Sequence, residues 1–381
     1  MSFRQIFLPI LVGLTILMVL SVSGGVRDGD LVDIGSFEKF IWSSPSGLTE
    51  YLERCPNSDR SGKSSVPAGG LSQFTLVGSF GDISIKGSDG DRIEIDHTIT
   101  VFADTSEQAA EYLSQCHISE ELRDDRLDVI LTEPADRPAH IRGVFANYEI
   151  LIPHGLSVDV SNQVGEVSIT DYQGGVALEN GFMPTTVRNV TGTLTVNARH
   201  GPLSVENLTG SADISVGFAK VNVTGIEGNA KISVEHCYSA VVGGVTGSVD
   251  IKNQFSNLRI SDIGGFVNLD SRHGSVTASG ISGPIDISAE FCDVELSRVT
   301  ETVDVTASHG QVSIGLVKDP SATGGYSIRT QVSSGKTISD VPLDETEIAR
   351  GTRRATGVYG SGAIPVTVCN EYGNIRLRLV N

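Results

Sequence analysis

Between Gly165 and His309, apolar and polar residues alternate in two short runs that recur about every 18 residues. Units begin at Gly165, Met183, Gly201, Ala219, Tyr238, Ser256, Gly274 and Cys292. The third position then reads Val167, Thr185, Leu203, Val221, Ala240, Leu258, Val276 and Val294, and the fifth Ile169, Val187, Val205, Val223, Val242, Ile260, Ala278 and Leu296. Position twelve reads Val176, Leu194, Ala212, Ala230, Val249, Val267, Ile285 and Val303, and position fourteen Leu178, Val196, Ile214, Ile232, Ile251, Leu269, Ile287 and Val305. Polar residues separate them, as Asp213 and Ser215 or Asp286 and Ser288 do. Period-two alternation builds a strand with one dry and one wet face, so each unit is two strands. A glycine recurs at one fixed place: Gly174, Gly192, Gly210, Gly228, Gly247, Gly265 and Gly283. Constant spacing of that kind marks one tight corner made repeatedly. Position eight (Val190, Leu208, Ile226, Val245, Ile263, Ile281, Val299) adds an apolar row beside the corner, and Cys237 is one extra residue, read as a bulge or loop insertion. The pattern predicts an all-β chain, a parallel β-helix or β-solenoid of ~18-residue units over 161–317.

A second pattern rides on the first. The last position of successive units alternates ring types: Phe182, His200, Phe218, His236, Phe255, His273, Phe291, His309. Parity with positions twelve and fourteen points these rings inward or into a corner, and small residues at position sixteen (Ala198, Ser271, Ala289, Ala307) leave room for them. Either a coil is one unit and Phe and His share a column, or a coil is two units and they form separate ladders. The expectation is a structural ladder. Ligation requires donors within about 2.0–2.1 Å of one ion, whereas one-unit coils set successive imidazoles about 9.6 Å apart. Imidazoles buried in neutral form would make stability pH-sensitive.

The flanking segments read differently. Residues 1–24 carry Arg4, an apolar run from Ile6 to Val22 and the small-residue spacing Val22-Ser23-Gly24, which predicts export through a signal that is either cleaved or kept as an anchor. Residues 25–70 read as a spacer, with a short helix around Leu48 to Glu53. Residues 71–160 hold strands at Phe74–Leu76, Asp82–Ile85, Arg92–Ile95, Leu127–Leu131 and Tyr148–Ile152. One helix is expected there, capped by Thr105 with Gln108 completing the box and Ala109, Ala110 and Leu113 as its stripe. This region is expected to cap the first coil, because an open edge invites aggregation. Residues 318–381 read as a long polar loop followed by closing strands at Ile364–Val368 and Asn374–Leu379.

Charge and candidate chemistry narrow the function. A net charge of −18 makes nucleic acid and anionic membrane surfaces poor partners, leaving membrane contact to the N-terminal segment. Of five cysteines, Cys55 and Cys116 flank the first sheet region, which leaves a bridge between them open, whereas Cys237 and Cys292 lie three units apart, too far for one in regular coils. The acidic row Asp213, Asp250, Asp286 and Asp304 is interrupted by Lys231; only Asp286 and Asp304 lie on adjacent units, so a weak surface cation site there is the single metal candidate and no cofactor is expected. No nucleophile elbow, phosphate loop or zinc signature occurs, and no convergent carboxylate set is visible, so catalysis is not expected. Asn189, Asn207 and Asn222 head sequons that matter only in a eukaryotic host.

Several stretches resemble the DUF4097 adhesin family of bacterial envelopes. They are Gly81-Asp82-Ile83-Ser84-Ile85 with Gly87, Tyr148-Glu149-Ile150-Leu151-Ile152-Pro153 with Gly155, and Val164-Gly165-Glu166-Val167-Ser168-Ile169. Ser333-Ser334-Gly335-Lys336-Thr337-Ile338 and Glu371-Tyr372-Gly373-Asn374-Ile375 look like late rungs of that family. The resemblance implies a β-helical envelope protein and supplies no catalytic residues. The expected function is an exported, non-catalytic surface-binding module for a glycan or envelope component. The alternatives are a structural or regulatory envelope protein and, third, a carbohydrate-active enzyme on a β-helix. Exposed aromatics along a groove would favour the first, and converging carboxylates the third.

Overall fold

Strand pairing in the computed structural model settles the length of a coil. Val176–Phe182 runs parallel to Leu194–Arg199 with Leu178 opposite Val196, and Thr185–Thr191 runs parallel to Val167–Gln173 with Val187 opposite Ile169. Each partner lies one unit away, so one coil is one 18-residue unit. The first strand of every unit adds to one parallel wall, here wall B, and the second to the facing wall A. From Val249 onward, single strands (Val249–Ile263, Val267–Ile281, Ile285–Val299) run from wall A round a corner into wall B. The structure describes residues 54–381 except 320, 322, 323 and 350, together with Leu52. The apolar segment, the spacer up to residue 53 and the helix expected around Leu48 to Glu53 lie outside these, Leu52 apart.

The core is the space between the walls. Positions three and five of wall B and twelve and fourteen of wall A point into it, with Ile214, Val223, Ile251 and Ile260 fully buried. Position eight is inward too, although it breaks period two. The cause is position seven, where Asp171, Asn189, Asn207, Gly225, Gly244, Asp262, Gly280 and Arg298 take φ of 53° to 70°. One left-handed residue reverses the parity of all that follows, so Val190, Leu208 and Ile226 return to the core. The glycine corner has a steric reason. Gly228 sits at φ 153°, and a Cβ there would lie 2.1 Å from the Gly210 carbonyl oxygen; at Gly283 it would lie 2.3 Å from that of Gly265. Stacked coils bring glycine backbone onto glycine backbone, leaving no room for a side chain. Cys237 is an insertion between Ala230–Glu235 and Ser239–Val245, with its side chain buried and its amide donating to Ser256 Oγ at 2.9 Å.

Both ends are laced out of sequence order. Gln73–Val77 lies in wall A between Arg126–Thr132 and Ser157–Val164, and Ile83–Ser88 lies in wall B between Ile141–Pro153 and Val167–Gln173. Antiparallel strands then cover the edge. Asn57–Pro67 pairs with Arg92–Ala103, which pairs with Ile141–Pro153, while His117–Arg123 pairs with Arg126–Thr132. Residues 57–67 are thus a strand where a spacer was expected, their polar alternation matching an edge strand with one face in solvent. Helix α1, Ser106–Leu113, is capped by Thr105, whose hydroxyl accepts from the Gln108 amide. Its buried stripe is Ala109, Tyr112 and Leu113, packed with Ile99, Val101 and Val144; Ala110, expected inside, is exposed.

The C-terminal end corrects the expected closing strands. Ile364–Tyr372 inserts between Val303–Ser308 and Gly325–Ser334, and Ile375–Val380 between Val312–Val317 and Thr337–Ser339. They are inner rungs. Thr352–Gly360 and Asp344–Ala349, added antiparallel, form the end. The stretch read as loop after Val317 therefore holds four strands, and Tyr326, Ile328, Thr330 and Val332 bury the alternating face that announces the first of them. None of the five cysteines is bridged, so Cys55 and Cys116 do not pair. Among the described residues, no helix is long and apolar enough to cross a membrane.

Two substitutions test this architecture. Ile214→Asp places a charge in the dry column, where burial without a partner costs several kcal/mol, and is expected to abolish native β-type circular dichroism. Gly228→Val is expected to lower the melting temperature by about 2–4 °C, the scale of 1–3 kcal/mol of strain in a domain of this size. An unchanged melting curve would mean that the corner accepts a side chain.

Candidate functional site: an exposed ring column and a polar wall

Phe182, His200, Phe218, His236, Phe255, His273, Phe291 and His309 form one column, coil upon coil. Neighbouring ring centroids lie 4.4–5.2 Å apart with planes within 8–19°. Tyr372, brought in by an inner C-terminal rung, extends the column at 4.5 Å from His309. The rings do not point inward, as parity suggested. From His200 to His309 each sits at φ 53–59°, and this second left-handed residue per coil turns the side chain out of the corner. Phe255 and Phe291 are 50% and 46% exposed.

The space expected to house rings is used otherwise. At position sixteen, Asn180 Nδ2 donates to Gly165 O and Thr185 Oγ1, and Asn253 Nδ2 to Ser256 O and Ser271 Oγ. Asn162 and Asn370 make the same contact with the carbonyls of Gly81 and Gly310. A buried amide facing the corner carbonyls keeps them paired where the chain leaves the sheet. Sequence reading passed over these asparagines, although Asn180 and Asn253 stand at one repeat position.

A bulky residue in the left-handed region costs about 1–2 kcal/mol, and a stacked ring pair returns about 0.5–1.5 kcal/mol. The column therefore roughly breaks even as a stabilising device. At position seven, which has the same φ, the residues are mostly Asp, Asn and Gly, as expected where nothing is stacked. There, too, the side chains link coils, Asn189 Nδ2 donating to Asp171 Oδ1 and Asn207 Nδ2 to Asn189 Oδ1.

Successive imidazoles are separated by a phenyl ring, two centroid steps of 5.0 and 5.2 Å between His200 and His236, so they share no ion. Arg199, Glu235, Arg272, Glu290 and Glu371 flank the column in sequence, and Glu235 Oε1 lies 3.6 Å from His236 Nδ1. Burial, and secondarily the Arg199 charge, hold His200 below the ordinary imidazole range. Its folded pKa is thus below its unfolded one, so the unfolded chain binds the proton better. The stability this provides is full above about pH 6.5 and is withdrawn as pH falls below it. His97, lowered chiefly by burial, acts in the same direction beside Glu120, Arg60 and Asp96. His200→Asn, which keeps a left-handed residue without a titrating ring, is expected to flatten the fall in melting temperature between pH 7 and 5; an unaltered slope would assign that fall to other groups.

Wall A carries the acidic row. Asp213, Lys231, Asp250, Asn268, Asp286 and Asp304 stand side by side on successive coils. Lys231 Nζ lies 3.2 Å from Asp213 Oδ2. Burial, then the neighbouring Asp286, push the Asp304 carboxyl upward. Among the described residues no group of three or more His, Cys, Asp or Glu is arranged to hold a metal ion, and Asp286 and Asp304 stand as a pair. Towards the glycine corner the same wall forms an open groove of about 560 Å³ across five coils, lined by Thr195, Asp213, Lys231, Asp250 and Asn268, with Phe266 at one end.

The chain matches the family model described as Toastrack DUF4097 over residues 82–378. No curated protein matches it. Among solved structures, a candidate cell adhesion protein from Clostridium sporogenes is 9% identical, covers 85% of this chain and 100% of its own, and has a TM-score of 0.18. Candidate adhesins from Bacteroides fragilis and Parabacteroides distasonis are 13% and 12% identical, each covering 84% of this chain and 97% of its own, with TM-scores of 0.24 and 0.21. At these scores no property of the three is transferred. The family match runs from the Ile83–Ser88 rung into the Ile375–Val380 rung and includes every regular coil between them, and the chain belongs to the DUF4097 Toastrack family.

Proposed function

We propose that this protein is an exported, non-catalytic binding module of the cell surface or envelope, adhesin-like in action, that recognises a glycan or envelope component through many shallow contacts. The observation that carries this reading is the repetition of exposed groups in register. Outward side chains recur in register at every coil along wall A, so a ligand with its own axial repeat meets the same contact several times. Weak contacts joined on one rigid frame add as effective concentration, which is how a shallow surface reaches useful affinity. The apolar run from Ile6 to Val22 supports export.

The structural alternative draws on a specific feature too. The column's ring faces are occupied by one another, so most of its stacking capacity is used within the chain.

The test is a binding screen of the purified protein against glycans and cell-wall polymers of graded length, with and without calcium. Saturable binding whose affinity rises with polymer length is expected. Absence of binding to every panel member would overturn the adhesive reading in favour of a structural role.

A further inference from the structure

The groove on wall A holds one aromatic ring, Phe266, that is not part of the column. Phe266 is 40% exposed, and no ring stacks on it among the described residues. Its amide is held by Ser248 Oγ at 3.2 Å, which ties the residue to the neighbouring coil. Thr195, Asp213, Lys231, Asp250 and Asn268 continue from it along the groove, one per coil. Four strand spacings separate the first from the last, a reach of about 19 Å.

The chemistry of the lining restricts the occupant. Hydroxyl, amide and carboxylate groups spaced along a line donate to and accept from hydroxyls, and a free aromatic face packs against the C–H face of a sugar ring. The one cation, Lys231, is engaged by Asp213, and two carboxylates stand in the same row. With a net charge of −18 the molecule repels polyanions, so an acidic polysaccharide or nucleic acid is the wrong partner. The floor is the wall itself, giving an elongated open cleft for a linear chain rather than a closed pocket for a small molecule.

We infer that this groove is a subsite for an uncharged linear oligosaccharide, with Phe266 as the stacking platform at one end and Asp250 and Asn268 as hydroxyl-binding groups beside it. The inference rests on the binding-module reading and names its ligand class and place. The ring column, at the other edge of wall A, is a separate surface.

The experiment measures binding of uncharged glucan and N-acetylglucosamine oligomers to the full chain by calorimetry, alongside Phe266→Ala, Asp250→Asn and, as a control on the other edge, Phe255→Asn. Melting curves are recorded for each variant. The expected result is about tenfold weaker binding for Phe266→Ala and a smaller loss for Asp250→Asn, with Phe255→Asn unchanged. Asp250→Asn keeps the shape of an exposed residue, so it tests the groove even if Phe266→Ala unfolds. Binding that both groove variants leave intact would overturn the site and leave the module reading standing. Binding of acidic polymers alone would overturn the ligand class. Failure of every polymer to bind would remove the module reading with it.

Discussion

Everything in this molecule depends on parallel strands stacked in exact register at one strand spacing. Once Leu178 lies over Val196 and Val187 over Ile169, each coil must turn at the same places, and the one extra residue, Cys237, is taken up in a turn between strands. The backbone satisfies its hydrogen bonds between coils, and the side chains decide which face is dry. Three special residues per coil make the turns: a left-handed residue at position seven, a glycine corner, and a left-handed residue at position eighteen. The glycines are required by contact with the glycines above and below. The left-handed positions are required by parity, since each shifts the following strand by one face.

That geometry puts a cost on the ends. A parallel stack leaves unpaired edges at both termini, and here both walls at the N-terminal end and wall A at the C-terminal end are covered by antiparallel strands that do not follow the 18-residue rule. The rungs next to those covers come from out-of-order segments, so the chain locks its first and last coil-forming strands between neighbours on both sides. A terminal strand paired on both edges frays less readily than one paired on one. Tyr372 shows the benefit to the surface, continuing the ring column although it lies far along the chain from His309.

The ring column and the groove divide the surface by chemistry. In the column, rings at 4.4–5.2 Å satisfy one another and present their edges. The spacing is set by the backbone rather than by the rings, which is why phenyl and imidazole alternate without disturbing the stack. In the groove, polar side chains line the wall one per coil, Lys231 paired with Asp213, and one aromatic ring is part-exposed at the end. A ligand that uses hydroxyls and a ring face is served by the second surface and not by the first.

The repeat, its strands, the dry columns and the glycine corner were legible in the sequence, because a periodic fold writes a periodic pattern: Val223, Ile214 and Gly228 recur at fixed positions for local reasons. The position-eighteen rings were legible as a series, but not in their direction. Whether Phe255 faces the core or solvent turns on the sign of one φ angle, and both signs leave the same letters in the chain. The order of rungs was equally hidden. Ile364–Tyr372 alternates like any strand, and only pairing with Val303–Ser308 and Gly325–Ser334 makes it an inner rung. Of the groove, only the row Asp213, Lys231 and Asp250 was legible; its extent to Thr195, Asn268 and Phe266 was not, since the nearness of residues a coil apart depends on the coil being one unit long. Sequence determined the repeating unit through residues that act on their neighbours; tertiary structure decided direction, rung order and surface shape, because those arise only when one coil is laid upon another.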